Sequence, residues 1–403
     1  MAVLPHDDGV CCIETFNAGR DPRLLPRKYQ AMAESSFAFF RATAHVFYGH
    51  AAQYGLPAAP KGWICGDLHV ENFGVYRADN LLNYFDVNDF DEACFGPLSA
   101  DLVRLGTSIL LACAEMGLPS REAEAFAAQS FAAYLRVLAG GKAIWSESEI
   151  ATGAIKALFQ QISERKRADF LDARTTVKHG LRKFNCDDKH YMPCGPHDET
   201  PDSVTKFLGQ RTAPEAGYFD LRDMAFHIAG LGSLGLARYA LLVRGRGDPD
   251  KNAMFDLKSA APSVAAGLMP QHQPQWPDEA SRVVTLQKRL QAMPARALAA
   301  TRTATRDYIM RELQPQEDRL DLAHLAKHRS SAFSSLSEAF NHMGEMAAAM
   351  HLRGAARQGA DGPDILIAYG ESADTNPLLA AAQAYKARND EDYQRFRSAC
   401  LAR

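Results

Sequence analysis

The amino-acid sequence predicts an α+β protein with a large helical part and a small part built from antiparallel strands. Apolar residues recur every three or four positions in residues 27–53, which is typical of amphipathic helices, and alanine- and leucine-rich helical patterns cover 98–140 and 321–358. Residues 226–260 instead read as strand, glycine turn, strand, polar turn and strand, and DYIMREL (307–313) as one more strand.

The remaining segments complete this prediction. Residues 61–93 read as loops around a hairpin, 146–176 as helical, 278–300 as an amphipathic helix, and 377–402 as a last helix or helix pair. Residues 178–217 have no clear periodicity and are expected to form an insertion. Its cysteine and histidine residues have a spacing that does not favour a compact zinc site; they are Cys186, His190, Cys194 and His197.

Composition narrows the class of protein. Of the 403 residues, 47% are hydrophobic and 23% charged, the balance of a globular protein, and a net charge of -3 disfavours a nucleic-acid binder. No apolar run approaches the ~20 residues that span a bilayer, and the N-terminus lacks the pattern of a signal peptide. Eight scattered cysteines do not indicate a disulfide framework. We therefore expect a reduced, cytoplasmic protein without membrane or nucleic-acid partners.

The stretch GDLHVENFG (66–74) carries the first candidate chemistry. Asp67 and Asn72 lie five positions apart in a loop bounded by glycines, so that a carboxylate and a carboxamide can converge. Asp67 is then a candidate catalytic base and Asn72 a candidate metal ligand. Asp and Asn also favour turns for local hydrogen bonds, and a purely structural loop is the alternative.

The stretch FDVNDFDEACFG (85–96) follows with four acids, Asp86, Asp89, Asp91 and Glu92. Clustered carboxylates suit Mg²⁺, which prefers oxygen ligands and shares them with phosphates. Asp89 and Asp91 are the predicted metal ligands because alternate residues of a strand face the same side. A base, an amide and acidic metal ligands in this order indicate phosphoryl transfer from ATP.

The stretch GLGSLG (230–235) offers a phosphate cradle, in which the candidate cofactor-binding residues are Gly230, Gly232, Ser233 and Gly235. A dinucleotide fold would continue as a helix, whereas LARYALLV reads as a strand, which favours a kinase-like glycine loop over a Rossmann turn. The next strand ends in Lys258, predicted to hold phosphates, and Glu279 is its predicted partner. A glycine-rich hairpin without a ligand is the alternative.

These motifs resemble the catalytic and metal loops of aminoglycoside phosphotransferases and choline-kinase-like enzymes, in which Asp67, Asn72 and Asp89 match the base and the two Mg²⁺ ligands. Asp101 matches their structural aspartate. SSFAFFRATA, CGDLHVENFG, FDVNDFDEA and GLGSLGLARYALLV also resemble blocks of the bacterial domain of unknown function 2252 family, over nearly the whole chain.

Two features depart from the kinase pattern. Cys65 stands where the phosphotransferase motif has histidine, and the glycine loop follows the catalytic loop instead of preceding it. Circular permutation of a two-lobed, protein-kinase-like fold accounts for this order. On that hypothesis residues 1–215 form a helical lobe with the catalytic and metal loops, 216–315 the small β-rich nucleotide-binding lobe, and 316–403 helices that return to the large lobe.

The functional prediction is an ATP- and Mg²⁺-dependent phosphotransferase acting on a hydroxyl of a small molecule, such as an aminoglycoside-like or sugar-like compound. Two alternatives stay open: a nucleotide-binding module that does no chemistry, and a metal-dependent phosphoesterase that uses the acidic cluster without ATP. Transfer of the nucleotide moiety itself would require the same ligands with ATP bound in the reverse direction.

Overall fold

The computed structural model describes residues 9–196, 198–212, 215–303, 306–327 and 332–401. It shows a mixed α+β protein in which 48% of the residues are helical and 17% lie in strands, and the strands pair antiparallel. This confirms the predicted α+β class with antiparallel strands. No helix in the described ranges is both long and apolar enough to cross a membrane.

The helices in these ranges are α1 (Gly9–Asn17), α2 (Leu25–Glu34), α3 (Ser36–Ala42), α4 (Ala44–Tyr54), α5 (Ser99–Glu115), α6 (Ser120–Ala139), α7 (Gly153–Ser163), α8 (Arg167–Asp172), α9 (Pro201–Leu208), α10 (Val264–Leu268), α11 (Glu279–Leu290), α12 (Leu322–Lys327), α13 (Ala332–Gly354), α14 (Pro363–Ser372) and α15 (Asn376–Leu401). The strands are β1 (Lys61–Ile64), β2 (Phe73–Arg77), β3 (Asn83–Val87), β4 (Cys94–Pro97), β5 (Thr175–Lys178), β6 (Leu181–Phe184), β7 (Tyr191–Met192), β8 (Leu221–His227), β9 (Arg238–Val243), β10 (Ala253–Ser259), β11 (Ala299–Arg302) and β12 (Asp307–Leu313).

The largest sheet has six strands in the order β11-β12-β10-β9-β8-β7. The glycine loop connects β8 to β9, and a polar turn connects β9 to β10, as the sequence predicts. Side chains alternate between its faces. One face packs an apolar cluster that includes Tyr239, Leu241 and Phe255, whereas Asp256 and Lys258 belong to the other face, which meets the helical part of the molecule.

The helical part packs around α5, α6, α13 and α15. The helix α13 buries Leu336, Phe340, Met343 and Met346, whereas Phe333 is 47% exposed and does not belong to the core. Glycine at position 344 permits the close approach of α13 to α6, because a Cβ there would overlap the carbonyl oxygen of Ser130.

The helix predicted over 278–300 ends at Leu290. Gln291 has extended backbone, with φ -71° and ψ 153°. Pro294 explains the early end because a helical proline ring would clash with the carbonyl four residues earlier, which is that of Leu290. That carbonyl instead accepts a hydrogen bond from Arg353 Nη1 at 2.9 Å, and the chain continues into β11.

The segment 178–217 is more regular than the sequence indicates. It holds part of the hairpin β5–β6, the strand β7 and the helix α9. Because β7 pairs with β8, and α9 contributes Val204, Phe207 and Leu208 to the apolar cluster under the sheet, these elements extend the small lobe to positions before 216. His197 lies outside the described residues.

A buried carboxylate anchors the loop that follows β1. Asp101, near the start of α5, accepts hydrogen bonds from the backbone N–H groups of Cys65 at 2.7 Å and Gly66 at 2.9 Å. Its Oδ2 also lies 3.1 Å from His351 Nε2, and the other ring nitrogen of His351 lies 2.8 Å from the Tyr134 hydroxyl. One network therefore connects α5, α6 and α13 to the loop.

We expect Asp101→Ala to lower the free energy of unfolding by about 3–5 kcal/mol, because it leaves several buried hydrogen-bonding groups without a partner. Chemical denaturation followed by circular dichroism measures the loss. Asp361→Ala is the matched control, since the Asp361 carboxylate accepts one backbone N–H, that of Lys61, at an exposed site, and about 1 kcal/mol is expected there. Equal losses in the two variants would contradict the anchoring role.

Candidate functional site

A cavity of about 380 Å³ lies between the sheet and the helical part. It is lined by residues from all three predicted motifs, although the glycine-rich motif is far from the other two in the sequence. The loop 66–74 and the acidic loop 85–96 contribute Asp67, Asn72, Asp89 and Asp91, and the glycine loop 230–235 contributes Gly230, Gly232 and Ser233. The structure therefore brings most of the predicted site residues together.

The first position of the loop that carries Asp67 requires glycine. Gly66 has φ +81°, and a Cβ there would overlap the carbonyl oxygen of Glu92. Asn72 joins this loop to the acidic loop: its Nδ2 donates to the carbonyls of Asp67 at 3.0 Å and Asp89 at 3.1 Å. Its Oδ1 accepts the N–H of Asp89 at 2.8 Å, which leaves one lone pair on that oxygen.

Asp67 lines the cavity and forms an ion pair with Arg104 of α5. The fully buried Arg104 donates from Nε to Asp67 Oδ1 at 2.5 Å, and its guanidinium lies 4.1 Å from the centre of the Phe40 ring. Burial raises the pKa of Asp67 to about 6, although the Arg104 charge beside it acts to lower that pKa. Asp67 is therefore a stronger base than an ordinary aspartate, yet it is ionised near neutral pH.

The acidic loop converges on Lys258. The Lys258 Nζ lies 3.4 Å from Asp89 Oδ2 and forms an ion pair with Asp91 Oδ2. Burial acts to lower the pKa of Lys258, but the two carboxylates raise it above its ordinary value. Burial and the neighbouring Asp89 raise the pKa of Asp91. Two carboxylate oxygens thus meet a single cation at this point.

The predicted partnership of Glu279 with Lys258 does not form. Glu279 Oε2 instead accepts a hydrogen bond from Arg282 Nε at 2.6 Å, one turn further along α11. Arg282 donates to the carbonyls of Ala93 at 2.6 Å and Asp91 at 2.8 Å. The helix α11 is therefore tied to the acidic loop through Arg282, with Glu279 orienting the guanidinium. The two residues satisfy each other because positions i and i+3 share one helix face.

Asp86 also has a structural role. Its carboxylate is buried and accepts hydrogen bonds from the N–H of Ala292 at 2.9 Å and from Arg353 Nη1 at 3.1 Å. These contacts hold the end of α11 against β3. Asp86 is therefore not part of the cavity lining formed by Asp89 and Asp91.

The N-terminal segment also holds the glycine loop. Arg20 Nη1 donates to the carbonyls of Gly232 and Leu234, both at 2.9 Å, and Lys28 Nζ donates to Gly232 at 2.6 Å. Burial lowers the pKa of Lys28 well below its usual range. The N–H groups of residues 231–233 make no hydrogen bond to the rest of the described chain, so they are free to bind an anion.

Gly235 does not line the cavity with the other loop glycines. It has φ +89°, its carbonyl accepts the N–H of Asp21 at 2.8 Å, and a Cβ there would lie 3.0 Å from the Cβ of Arg20. Gly235 therefore serves the turn and its packing against the N-terminal segment.

The sequence did not reveal several charged residues of the cavity. Arg20, Arg41 and Arg319 were not predicted, yet they line the cavity. Glu92, one of the four acids in 85–96, also lines it, although it was not predicted as a ligand. Arg104 was also missed, although a signal was present: it is the one basic residue in α5, which is buried along most of its length. A buried arginine requires a partner, and Asp67 supplies it.

Magnesium fits this site only as a shared cation. No three His, Cys, Asp or Glu residues within the described ranges are placed to hold a metal ion among themselves, so a cage made by the protein alone is not formed there. Mg²⁺ commonly takes one or two carboxylates together with substrate phosphates and water. The oxygens of Asp89 and Asp91, which already converge on one ammonium group, suit that arrangement.

Fold and site together define a mixed α+β protein with a cavity enclosed by a glycine loop and an acidic loop. The family described as an uncharacterized protein conserved in bacteria, DUF2252, matches residues 20–399, and the chain belongs to this family. No curated protein and no solved structure matches the chain significantly.

Glu92 lies at the floor of the cavity beside α10. Its Oε2 accepts the N–H groups of Val264 at 2.6 Å and Ala265 at 3.2 Å. Burial raises the pKa of Glu92 to about 7, although the hydrogen bond from Ala265 acts to lower it. The folded state therefore favours the protonated acid.

We expect Glu92 to make stability depend on pH. A folded-state pKa above the ordinary value contributes stability that is present at low pH and is lost as the pH rises through about 7. Relative to Glu92→Gln, the wild type should lose about 1–3 kcal/mol of unfolding free energy between about pH 5 and about pH 8. Denaturation with a chelator present measures this. Glu371→Gln, at an exposed site of α14, controls for the lost charge, and parallel curves for wild type and Glu92→Gln would refute the expectation.

Proposed function

We propose that the protein is an ATP- and Mg²⁺-dependent phosphotransferase that acts on a hydroxyl group of a small molecule. One observation carries this proposal: a single cavity is lined by Asp67, Asn72, Asp89 and Asp91 on one side and by the glycine loop on the other. A base, oxygen ligands for a metal and free amide groups for phosphates are the parts that phosphoryl transfer requires.

We also propose that the architecture is a circularly permuted, protein-kinase-like fold. Three features support this: a glycine loop closes the hairpin β8–β9, the following strand β10 ends near Lys258, and α11 precedes the strands β11 and β12. The helical elements that would follow such a sheet in a kinase come before it in this chain. Permutation leaves the three-dimensional arrangement of a site intact while it moves the termini.

In the proposed reaction the acceptor hydroxyl oxygen attacks the γ-phosphorus of ATP. A new P–O bond forms, the bond from the γ-phosphorus to the bridging β,γ-oxygen breaks, and ADP leaves. The hydroxyl proton passes to the carboxylate of Asp67, whose pKa of about 6 keeps it ionised near neutral pH. Arg104 fixes the orientation of that carboxylate through its contact with Oδ1.

The glycine loop and two cationic side chains, Arg20 and Lys258, would bind the phosphate groups. The free N–H groups of residues 231–233 form an anion-binding turn. Arg20 lines the same part of the cavity, and Lys258 lies between Asp89 and Asp91. Magnesium held by Asp89, Asp91 and the remaining lone pair of Asn72 Oδ1 would neutralise phosphate charge.

The ion pairs of Lys258 favour one second candidate, a nucleotide-binding module without catalysis. In that case the ammonium of Lys258 would permanently take the place of a metal ion between Asp89 and Asp91. The phosphoesterase alternative has less support, because no group of three metal-binding residues forms within the described ranges. Nucleotide binding with and without Mg²⁺ separates these candidates from the phosphotransferase.

ATP should stabilise the wild type only when Mg²⁺ is present. A ligand at about 100 times its Kd raises the free energy of unfolding by about 2.7 kcal/mol, and Asp89→Asn should lose most of this gain because it removes one oxygen charge from the metal site. Calorimetric titration and thermal shift both report it. Asp364→Asn, at an exposed site of α14, should behave as the wild type. If ATP leaves the wild type unmoved at millimolar concentration, the proposed function fails.

Asp67→Asn should lower turnover by about 10²–10⁴-fold while it leaves the affinity for Mg²⁺ and ATP within a few-fold, because an amide cannot accept the proton. Turnover is measured as ADP released, with water or a hydroxyl compound as the acceptor, and affinity by calorimetry on the same preparation. Loss of ATP affinity together with turnover would mean that Asp67 holds the nucleotide and is not the base.

A further inference from the structure

Two arginines and one glutamate form a bridge at the end of the cavity near Asp67. Arg41 of α3 lies 2.8 Å from Glu71 Oε2, and Arg319, in the segment after β12, lies 2.5 Å from the same oxygen. All three residues line the cavity. The bridge thus joins α3, the loop 66–74 and the segment that follows β12.

Arginine side chains are concentrated at this end of the cavity. The guanidinium groups of Arg41, Arg104 and Arg319 surround two carboxylates, those of Asp67 and Glu71. His69, which lies among the same arginines, adds no charge, because burial lowers its pKa well below the usual range and the arginines lower it further. An anionic ligand that displaced the Glu71 carboxylate would meet the guanidinium groups of Arg41 and Arg319.

Several buried polar atoms around Asp67 also have no hydrogen-bond partner within the described residues. They are Arg41 Nε, Arg104 Nη1 and His69 Nδ1. His69 is itself 8% exposed and lines the cavity. Buried polar atoms of folded proteins almost always have partners, and each one left without costs about 1–3 kcal/mol. Their grouping indicates a place where a polar ligand binds.

We propose that the acceptor carries an anionic group, a phosphate monoester or a carboxylate, which binds between Arg41 and Arg319. The inference rests on the proposed function and names the chemical class of its acceptor. Guanidinium groups recognise both anions through paired N–H donors. With the anion held at the arginine bridge, a hydroxyl elsewhere in the molecule reaches Asp67. Polycationic acceptors such as aminoglycosides are disfavoured beside these guanidinium groups.

The direct test compares polyhydroxylated probes of different charge, among which glucose and glucose 6-phosphate differ only in the phosphate group. Glucose 6-phosphate and gluconate serve as anionic probes, glucose as the neutral one and kanamycin as the cationic one. Each is titrated calorimetrically into the full chain, with and without a non-hydrolysable ATP analogue and Mg²⁺. We expect at least one anionic probe to bind about tenfold or more tightly than glucose and kanamycin. Equal or tighter binding of glucose or kanamycin overturns the proposal.

Substitutions distinguish an anion site from a merely structural bridge. Arg319→Gln, at a half-exposed position, should weaken the anionic probe about tenfold. Glu71→Gln should instead strengthen it several-fold, because it frees both arginines from their internal counter-ion. A bridge that only holds the fold would lose stability on Glu71→Gln and gain no anion affinity, and that result overturns the proposal. Arg395→Gln, an exposed site on α15, is the control and should leave probe binding unchanged.

The same samples separate failure of this inference from failure of the proposed function. If Mg²⁺ and ATP bind but no preference for anions is seen, the acceptor class is wrong and the phosphotransferase proposal stands. If neither nucleotide nor anionic probe binds, both are refuted. If an anionic probe binds without nucleotide, and Arg319→Gln abolishes that binding, the result supports the arginine site independently of the proposed function.

Discussion

The position of the whole site depends on the buried carboxylate of Asp101. A carboxylate inside a protein is costly unless its oxygens are fully hydrogen-bonded, and here the backbone N–H groups of Cys65 and Gly66 provide two of the bonds. Because Gly66 is also pressed against the carbonyl of Glu92, the loop has little freedom to move. The direction of Asp67 is therefore decided by the helix α5 and not by the loop itself.

A second charge on the same helix completes this arrangement. Arg104 lies one turn after Asp101 and is fully buried, so the cost of burying its charge is offset by Asp67, by the carbonyl of Phe40 and by the face of the Phe40 ring. A carboxylate paired so tightly would normally be a weak base. Burial acts in the opposite sense and is the larger effect. The outcome is a fixed carboxylate that is still able to accept a proton.

The sequence predicted the parts of the site that lie in short contiguous motifs. Asp67, Asn72 and Asp89 could be recognised because the polar residues of each loop lie within one short stretch, 66–74 or 85–96. Contacts between distant segments left no local signal, as with Arg20, which binds carbonyls more than 200 residues away. Glu279 was assigned to the wrong partner because Arg282, on the same helix face, satisfies it. The end of α11 was missed because Pro294 acts on a carbonyl four residues earlier.

Charge balance at the acidic loop makes Lys258 compatible with the magnesium ion that we propose there. Asp89 and Asp91 carry two negative charges close together, and the single ammonium of Lys258 neutralises one of them. Burial makes the remaining charge costly, as the raised pKa of Asp91 indicates. A divalent cation with bound phosphates would satisfy both carboxylates and would offer Lys258 new oxygens nearby. On the proposed function, the ion pairs of the free protein would hold the two carboxylates in place for a divalent cation.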